Sequence, residues 1–270
     1  MWTAPFEDVR PLLTAERADL LEFLAALSPE EWPADTAAPG WTVKDLALNV
    51  LDDDLGWLSR LRDRDLSGVV NVSDSTSFVS ALAMKNQRWI DGAGQLSLPV
   101  VAGLLGWSGR EMDDWYATLD LMGKGGVYWA SDGPVPLWFE LAQDLTERWV
   151  HQGQMREAVD RLGTYGTDYL RTVLRTLVWA FPHQYRVSSA PETEVAVSLA
   201  GGGQWTLVSD GQGRWEMHEG EASLAAASLL ATHGAGWRLL TGARFPEDAV
   251  TVDGPHEMTE PLRLVRGIIF

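Results

Sequence analysis

The sequence predicts an α+β protein that is mostly α, with a bundle of four or five long helices over residues 1–165 and a small α+β domain over 166–270. Three observations predict it. Apolar residues up to Arg161 recur at the three-and-four spacing of amphipathic helices. From Val195 onward they alternate with polar neighbours between glycine-rich turns, as hairpin strands do. The length of 270 residues is enough for two separate cores.

The first helix is read from Phe6 to Leu27, with Val9, Leu12, Leu13, Leu20, Leu24 and Leu27 on its apolar face, and it stops at Ser28-Pro29. Thr42 caps the second, Asp45 returns the bond as a variant capping box, and the helix runs to about Arg62. A polar break at Asn71 to Ser77 precedes a third helix marked by Phe78, Leu82, Trp89 and Ile90. Ser97-Leu98-Pro99 opens a fourth, since proline fits a first turn. Gly123 to Pro134 is a long connection or pocket lid. It lacks the Lys-Ser/Thr ending of a phosphate loop. Leu137 to Arg161 is the next long helix, and Asp168 to Phe181 another. Short strands follow around Val195–Leu199, Trp205–Leu207 and Trp215–Met217. Ala225 to Leu230 reads equally as strand or helix. Gly234 to Leu240 reads as helix, Val250 to Val252 as a short strand, and Pro255 to Ile269 as a closing helix.

Composition narrows the function classes. Apolar residues make up 46% and charged residues 22%, the balance of a globular protein. A net charge of −17 repels nucleic acid and anionic lipid, so neither is expected as a partner. No run approaches the roughly 20 apolar residues of a membrane span, and the N-terminus lacks signal-peptide features, so the cytoplasm is the expected compartment. The absence of cysteine removes disulfides, thiolate ligands and a protein-borne sulfur nucleophile together. Any thiol chemistry must use a thiol brought by a small molecule. Eighteen Arg against three Lys suggest a high-GC genome by association, and the fourteen Trp suit core and pocket walls.

The candidate site starts from Glu147 and His151, four residues apart and so on one face of the Leu137–Arg161 helix. Such a pair is more often an exposed polar pair than a site. On the second helix Val43, Val50, Trp57 and Leu61 form a stripe with Asp54 in its middle, a carboxylate that is either buried with a partner or functional. Asn49 and Asp53 lie one turn apart beside it, while Asp52 points away as a solvated residue. His183 is read as structural, and His218, His233 and His256 as surface or turn residues.

The segments Gly40-Trp-Thr-Val-Lys-Asp-Leu46, Leu55-Gly-Trp-Leu-Ser-Arg-Leu61, Glu147-Arg-Trp-Val-His-Gln-Gly-Gln-Met-Arg156, Ala180-Phe-Pro-His-Gln-Tyr185 and Trp237-Arg-Leu-Leu-Thr-Gly242, with Val265-Arg-Gly-Ile-Ile269, occur in order along the chain. They resemble the actinobacterial family of mycothiol-dependent maleylpyruvate isomerases and its relatives. The resemblance implies a DinB-like up-down bundle followed by a small sterol-carrier-like α/β domain. It implies a divalent metal, usually zinc, held by a second-helix His and by the later Glu and His, here Glu147 and His151. The first ligand position is Asn49, because Asp-Leu-x-x-His-Leu in the family reads Asp45-Leu-Ala-Leu-Asn49-Val50 here. Asn is a weak neutral oxygen ligand.

The reaction so implied activates mycothiol, adds the thiolate to an activated double bond, and eliminates it after rotation, as an isomerase or thiol S-transferase. His151, Glu147 and Asp54 are the catalytic candidates. Asn49, Asp53, Trp57 and Arg156 are the substrate-binding candidates, and a small molecule is the partner. Two alternatives stay open: a metal-independent isomerase, cyclase or lyase of specialised metabolism reusing the pocket, and a non-catalytic small-molecule-binding protein.

Overall fold

The computed structural model describes residues 3–67, 75–162 and 167–267, with side chains in the third helix from Ser80 onward. Its elements in chain order are α1 (Arg10–Ala25), α2 (Val43–Trp57), α3 (Ser75–Ala93), α4 (Leu98–Tyr116), β1 (Lys124–Gly125), β2 (Val135–Pro136), α5 (Leu137–Ala158), α6 (Thr167–Leu177), α7 (Ala180–Gln184), β3 (Glu194–Leu199), β4 (Gly203–Ser209), β5 (Trp215–Glu219), β6 (Ala225–Ala231), α8 (Ala235–Thr241), β7 (Val250–Asp253) and α9 (His256–Leu264). This is the α+β, mostly α class. The chain forms two compact units. A helical unit comprises Val9–Asp120 and Arg148–Tyr165; a mixed unit comprises Met1–Asp8, Leu121–Glu147 and Gly166–Phe270. No helix among the described residues is long and apolar enough to cross a membrane.

In the helical unit α1 begins at Arg10 rather than near Phe6, with Pro11 in its first turn, where a missing N–H costs nothing. The capping box of α2 forms as the sequence predicts. Thr42 N–H donates to Asp45 Oδ2 at 2.9 Å, and Asp45 N–H donates to Thr42 Oγ1 at 3.3 Å. After Trp57 the chain continues as one π-helical turn, Leu58–Arg62, so the element does reach Arg62. Helix α2 packs on α3 and α4, and α1 also packs on α4. Leu46, Leu51, Val101 and Leu105 are fully buried where they meet. Each such side chain contributes about 2 kcal/mol. The Trp89 indole N–H ties α3 to α2 by donating to the Leu48 carbonyl at 2.8 Å. Of the expected polar break before α3, residues 71–74 lie outside the described residues, as does the Phe78 side chain. So do residues 163–166, where the 165/166 domain boundary was read.

In the mixed unit the loop from Gly123 to Pro134 is closed at its base by a small antiparallel ladder of β1 and β2. The main sheet has five strands in the order β5-β4-β3-β6-β7. All pairings are antiparallel except β3 with β6, which is parallel. Val195, Val197 and Leu199 on β3 point to the core while their neighbours do not, the period-two pattern that marked this strand in sequence. Ala225 to Leu230, ambiguous in sequence, is strand β6. The helix expected over Asp168 to Phe181 ends at Leu177, and a separate short α7 carries Pro182. The closing helix ends at Leu264, short of Ile269. Val265 is extended, and Gly267 N–H donates to the Leu240 carbonyl at 2.7 Å. Residues 268–270 lie outside the described residues.

Candidate active site in the helical unit

Helix α2 presents Asn49 and Asp53 one turn apart, with Asn49 buried and Asp53 half-buried. Asn49 Nδ2 lies 3.5 Å from Asp53 Oδ2 and 3.4 Å from His151 Nε2. Asn49 Oδ1 is buried with no hydrogen-bond partner among the described residues. An amide oxygen left in that state costs on the order of 1–3 kcal/mol, which a ligand donor recovers. The second half of α5 supplies His151, itself buried.

One turn on, Gln154 orients the ring: its Oε1 stands 3.2 Å from His151 Nδ1. An amide oxygen only accepts, so this contact places the proton on Nδ1 and leaves the Nε2 lone pair facing the Asn49 amide. Burial disfavours the imidazolium and pushes the His151 pKa down to about 4, against the opposing effect of the Gln154 contact. His151 is thus a neutral acceptor at physiological pH. Glu147 sits one turn earlier on α5, half-buried, with its Oε1 3.4 Å from Gln143 Nε2.

Asp54 has a different setting. It is 0% exposed and held by Arg17 at 2.8 Å, Arg148 at 2.6 Å and the Ser108 hydroxyl at 2.5 Å. Burial opposes its ionisation, but the Arg148 and Arg17 charges and the Ser108 hydrogen bond outweigh it and hold its pKa below the ordinary value. Both oxygens are engaged by helices α1, α4 and α5, so Asp54 ties these helices together.

Arg156, expected to bind substrate, is committed to packing. Its Nε donates to Gln152, another nitrogen donates to the Asp19 carbonyl at 3.0 Å, and the guanidinium lies 4.7 Å from the centre of the Phe23 ring. Trp57 is half-buried and meets Trp115 and Tyr116 edge-on. Asp52, read as solvated, pairs with Lys85 of α3. Gln154, Arg17 and Ser108 were not singled out in the sequence. Gln154 was findable from its i, i+3 spacing to His151; the other two come from distant helices and carry no local signal.

The donor set does not fit a resident zinc ion. Zinc sites use three or four His, Cys, Asp or Glu ligands. Among the described residues no three such side chains come together. Where the family places a third ligand, the amide of Asn49 caps the His151 lone pair instead.

The sequence-family model of the mycothiol maleylpyruvate isomerase N-terminal domain matches residues 13–156, more than half of the chain. The chain belongs to this family. Two solved structures are similar to this family member across nearly its whole length. One is the mycothiol-dependent maleylpyruvate isomerase, with a TM-score of 0.56 and 15% identity over 96% of this chain and 99% of that one. The other is a histidine-to-alanine mutant of it, with a TM-score of 0.55 and the same identity and coverage. At that identity the likeness is one of fold. No curated protein matches the sequence.

Proposed function

We propose that the chain is a small-molecule enzyme of the mycothiol-using kind, an isomerase or thiol S-transferase working by thiolate addition to an activated double bond. The observation that carries this reading is the buried Asn49–His151 contact, within the segment that matches the family. When bound, mycothiol supplies the thiol that adds to the double bond and leaves again after rotation about the new single bond. The absence of cysteine makes such an external nucleophile necessary for any thiol chemistry.

The residues gathered around His151 fit a thiol ligand better than a metal. His151 Nε2, its tautomer held by Gln154, accepts the thiol proton once the ligand displaces the Asn49 amide from its lone pair. Asn49 Oδ1 takes a polar hydrogen of the ligand. Asp53 and Trp57 flank the substrate, and Glu147 precedes His151 by one turn on α5. Moving a proton from a thiol of pKa about 8.5 to an imidazole of about 4 is uphill by roughly 6 kcal/mol. That fits within the roughly 16 kcal/mol barrier of an enzyme turning over about ten times per second.

The test is calorimetric titration of the purified chain with mycothiol, followed by isomerisation of maleylpyruvate in its presence. Saturable binding, weakened in Asn49→Leu and His151→Ala, with turnover that requires the thiol, is the expected result. Turnover without mycothiol would point to a metal-independent enzyme reusing the site. The low basicity of His151 favours a second reading, a binding protein, and binding with no turnover of any electrophile would establish it.

A further inference from the structure

The mixed unit holds a cavity of about 570 Å³, within the range of small-molecule sites. None of the candidate residues of the helical unit lines it. Trp138, Trp179, Trp205 and Trp215 form its walls. These walls are preset. Trp215 donates its indole N–H to the Val187 carbonyl at 3.0 Å and meets the Tyr185 ring at 4.9 Å, and Trp138 packs edge-on against Phe139 at 5.6 Å. Trp138, Trp205 and Trp215 are buried, so their rings have little freedom to lose when a ligand arrives.

The charged groups on the lining are unequal in number. Glu7, Glu216 and Glu219 line it together with one guanidinium, Arg175, and one imidazole, His218. Arg175 is neutralised by Glu219, with nitrogen–oxygen distances of 2.6 and 3.3 Å. That leaves Glu7, steadied by the Thr172 hydroxyl at 2.6 Å, and Glu216 without a cationic counterpart on the lining. The lining includes every residue of β5, the edge strand of the sheet, from Trp215 to Glu219. Aromatic faces present negative charge density, as carboxylates do, and the two together select a cation that also has apolar surface.

The geometry points to a second ligand site here, in the mixed unit, for an organic cation: a quaternary or protonated amine carrying an apolar or aromatic body. A neutral aromatic would satisfy the tryptophans but not the carboxylates, and an anion would be repelled by Glu7, Glu216 and the −17 net charge of the chain.

The test is calorimetric titration of the full chain with benzyltrimethylammonium and, as a control of similar size and opposite charge, phenylacetate. The cation is expected to bind saturably and at least about tenfold more tightly than the anion. Glu216→Gln, on an exposed residue, is expected to weaken the cation about threefold, and Trp179→Leu about tenfold, both with unchanged far-UV circular dichroism. Equal affinity for phenylacetate overturns the proposal. So does cation affinity indifferent to both substitutions, or the absence of saturable binding.

Discussion

Replacing Asp54 by Asn is expected to destabilise the protein by about 3–5 kcal/mol, the usual cost of removing one partner from a buried ion pair. A value near the middle of that range, about 4 kcal/mol, applies, because two cations lie against this one carboxylate. Asp54 is 0% exposed, Arg17 6% and Arg148 5%. Asn keeps the shape and an oxygen for Ser108 but removes the negative charge that lies against both guanidinium groups in the interior. A loss of about 4 kcal/mol corresponds to a drop of roughly 8–16 °C in Tm for a chain of this size.

Urea and thermal unfolding at pH 7 measure it. The acid dependence supplies a second check. The folded pKa of Asp54 is depressed, so its contribution is fully present above the unfolded value of about 3.9 and is lost as pH falls through the folded one. The gap between wild type and Asp54→Asn therefore closes below about pH 4. Adding Arg17→Met to Asp54→Asn should recover part of the loss, because one stranded cation is gone. A cost under about 1 kcal/mol at pH 7 would refute the structural role, as would a gap that stays constant into acid.

Three further outcomes follow from the geometry. Gly254 has φ +118°, and a Cβ there would lie 2.7 Å from the Ala226 carbonyl oxygen and 2.8 Å from Ala227 Cα, so Gly254→Ala should cost at least about 2 kcal/mol in urea unfolding. Burial pushes the Tyr185 hydroxyl up to about 12, and its proton is donated to the Met258 carbonyl at 2.9 Å. A raised folded pKa means stability present below the unfolded value of about 10 and lost as pH rises toward about 12. Tyr185→Phe should flatten that alkaline loss in a pH series of Tm. Thr42→Ala should cost about 1 kcal/mol through the lost cap on α2, and adding Asp45→Ala should cost less than the sum of the separate changes, since both serve one box.

Periodicity alone located most of the helices of the first half and the alternating strand β3, because burying one face imposes a spacing that survives in the sequence. Local chemistry fixed the α2 cap at Thr42 and the start of α4 near Pro99, since both are decided within one turn. The one-turn spacing of Glu147 and His151 along α5 was legible for the same reason. The Asn at position 49, where the family pattern has His, was legible too.

What the sequence left open was decided by contacts between distant residues. Ala225 to Leu230 carries no helix-or-strand signal of its own, and it becomes β6 because β3 and β7 supply hydrogen-bond partners on both sides. Asp54 could be a base or a buried anchor until Arg17, Arg148 and Ser108, from three other helices, engage its oxygens. His151 is neutral because the fold buries it, and Gln154 together with Asn49 settles which nitrogen carries the proton. Local pattern determines where an element forms, but the charge state of a side chain depends on what surrounds it in three dimensions, and only the packed chain supplies those surroundings.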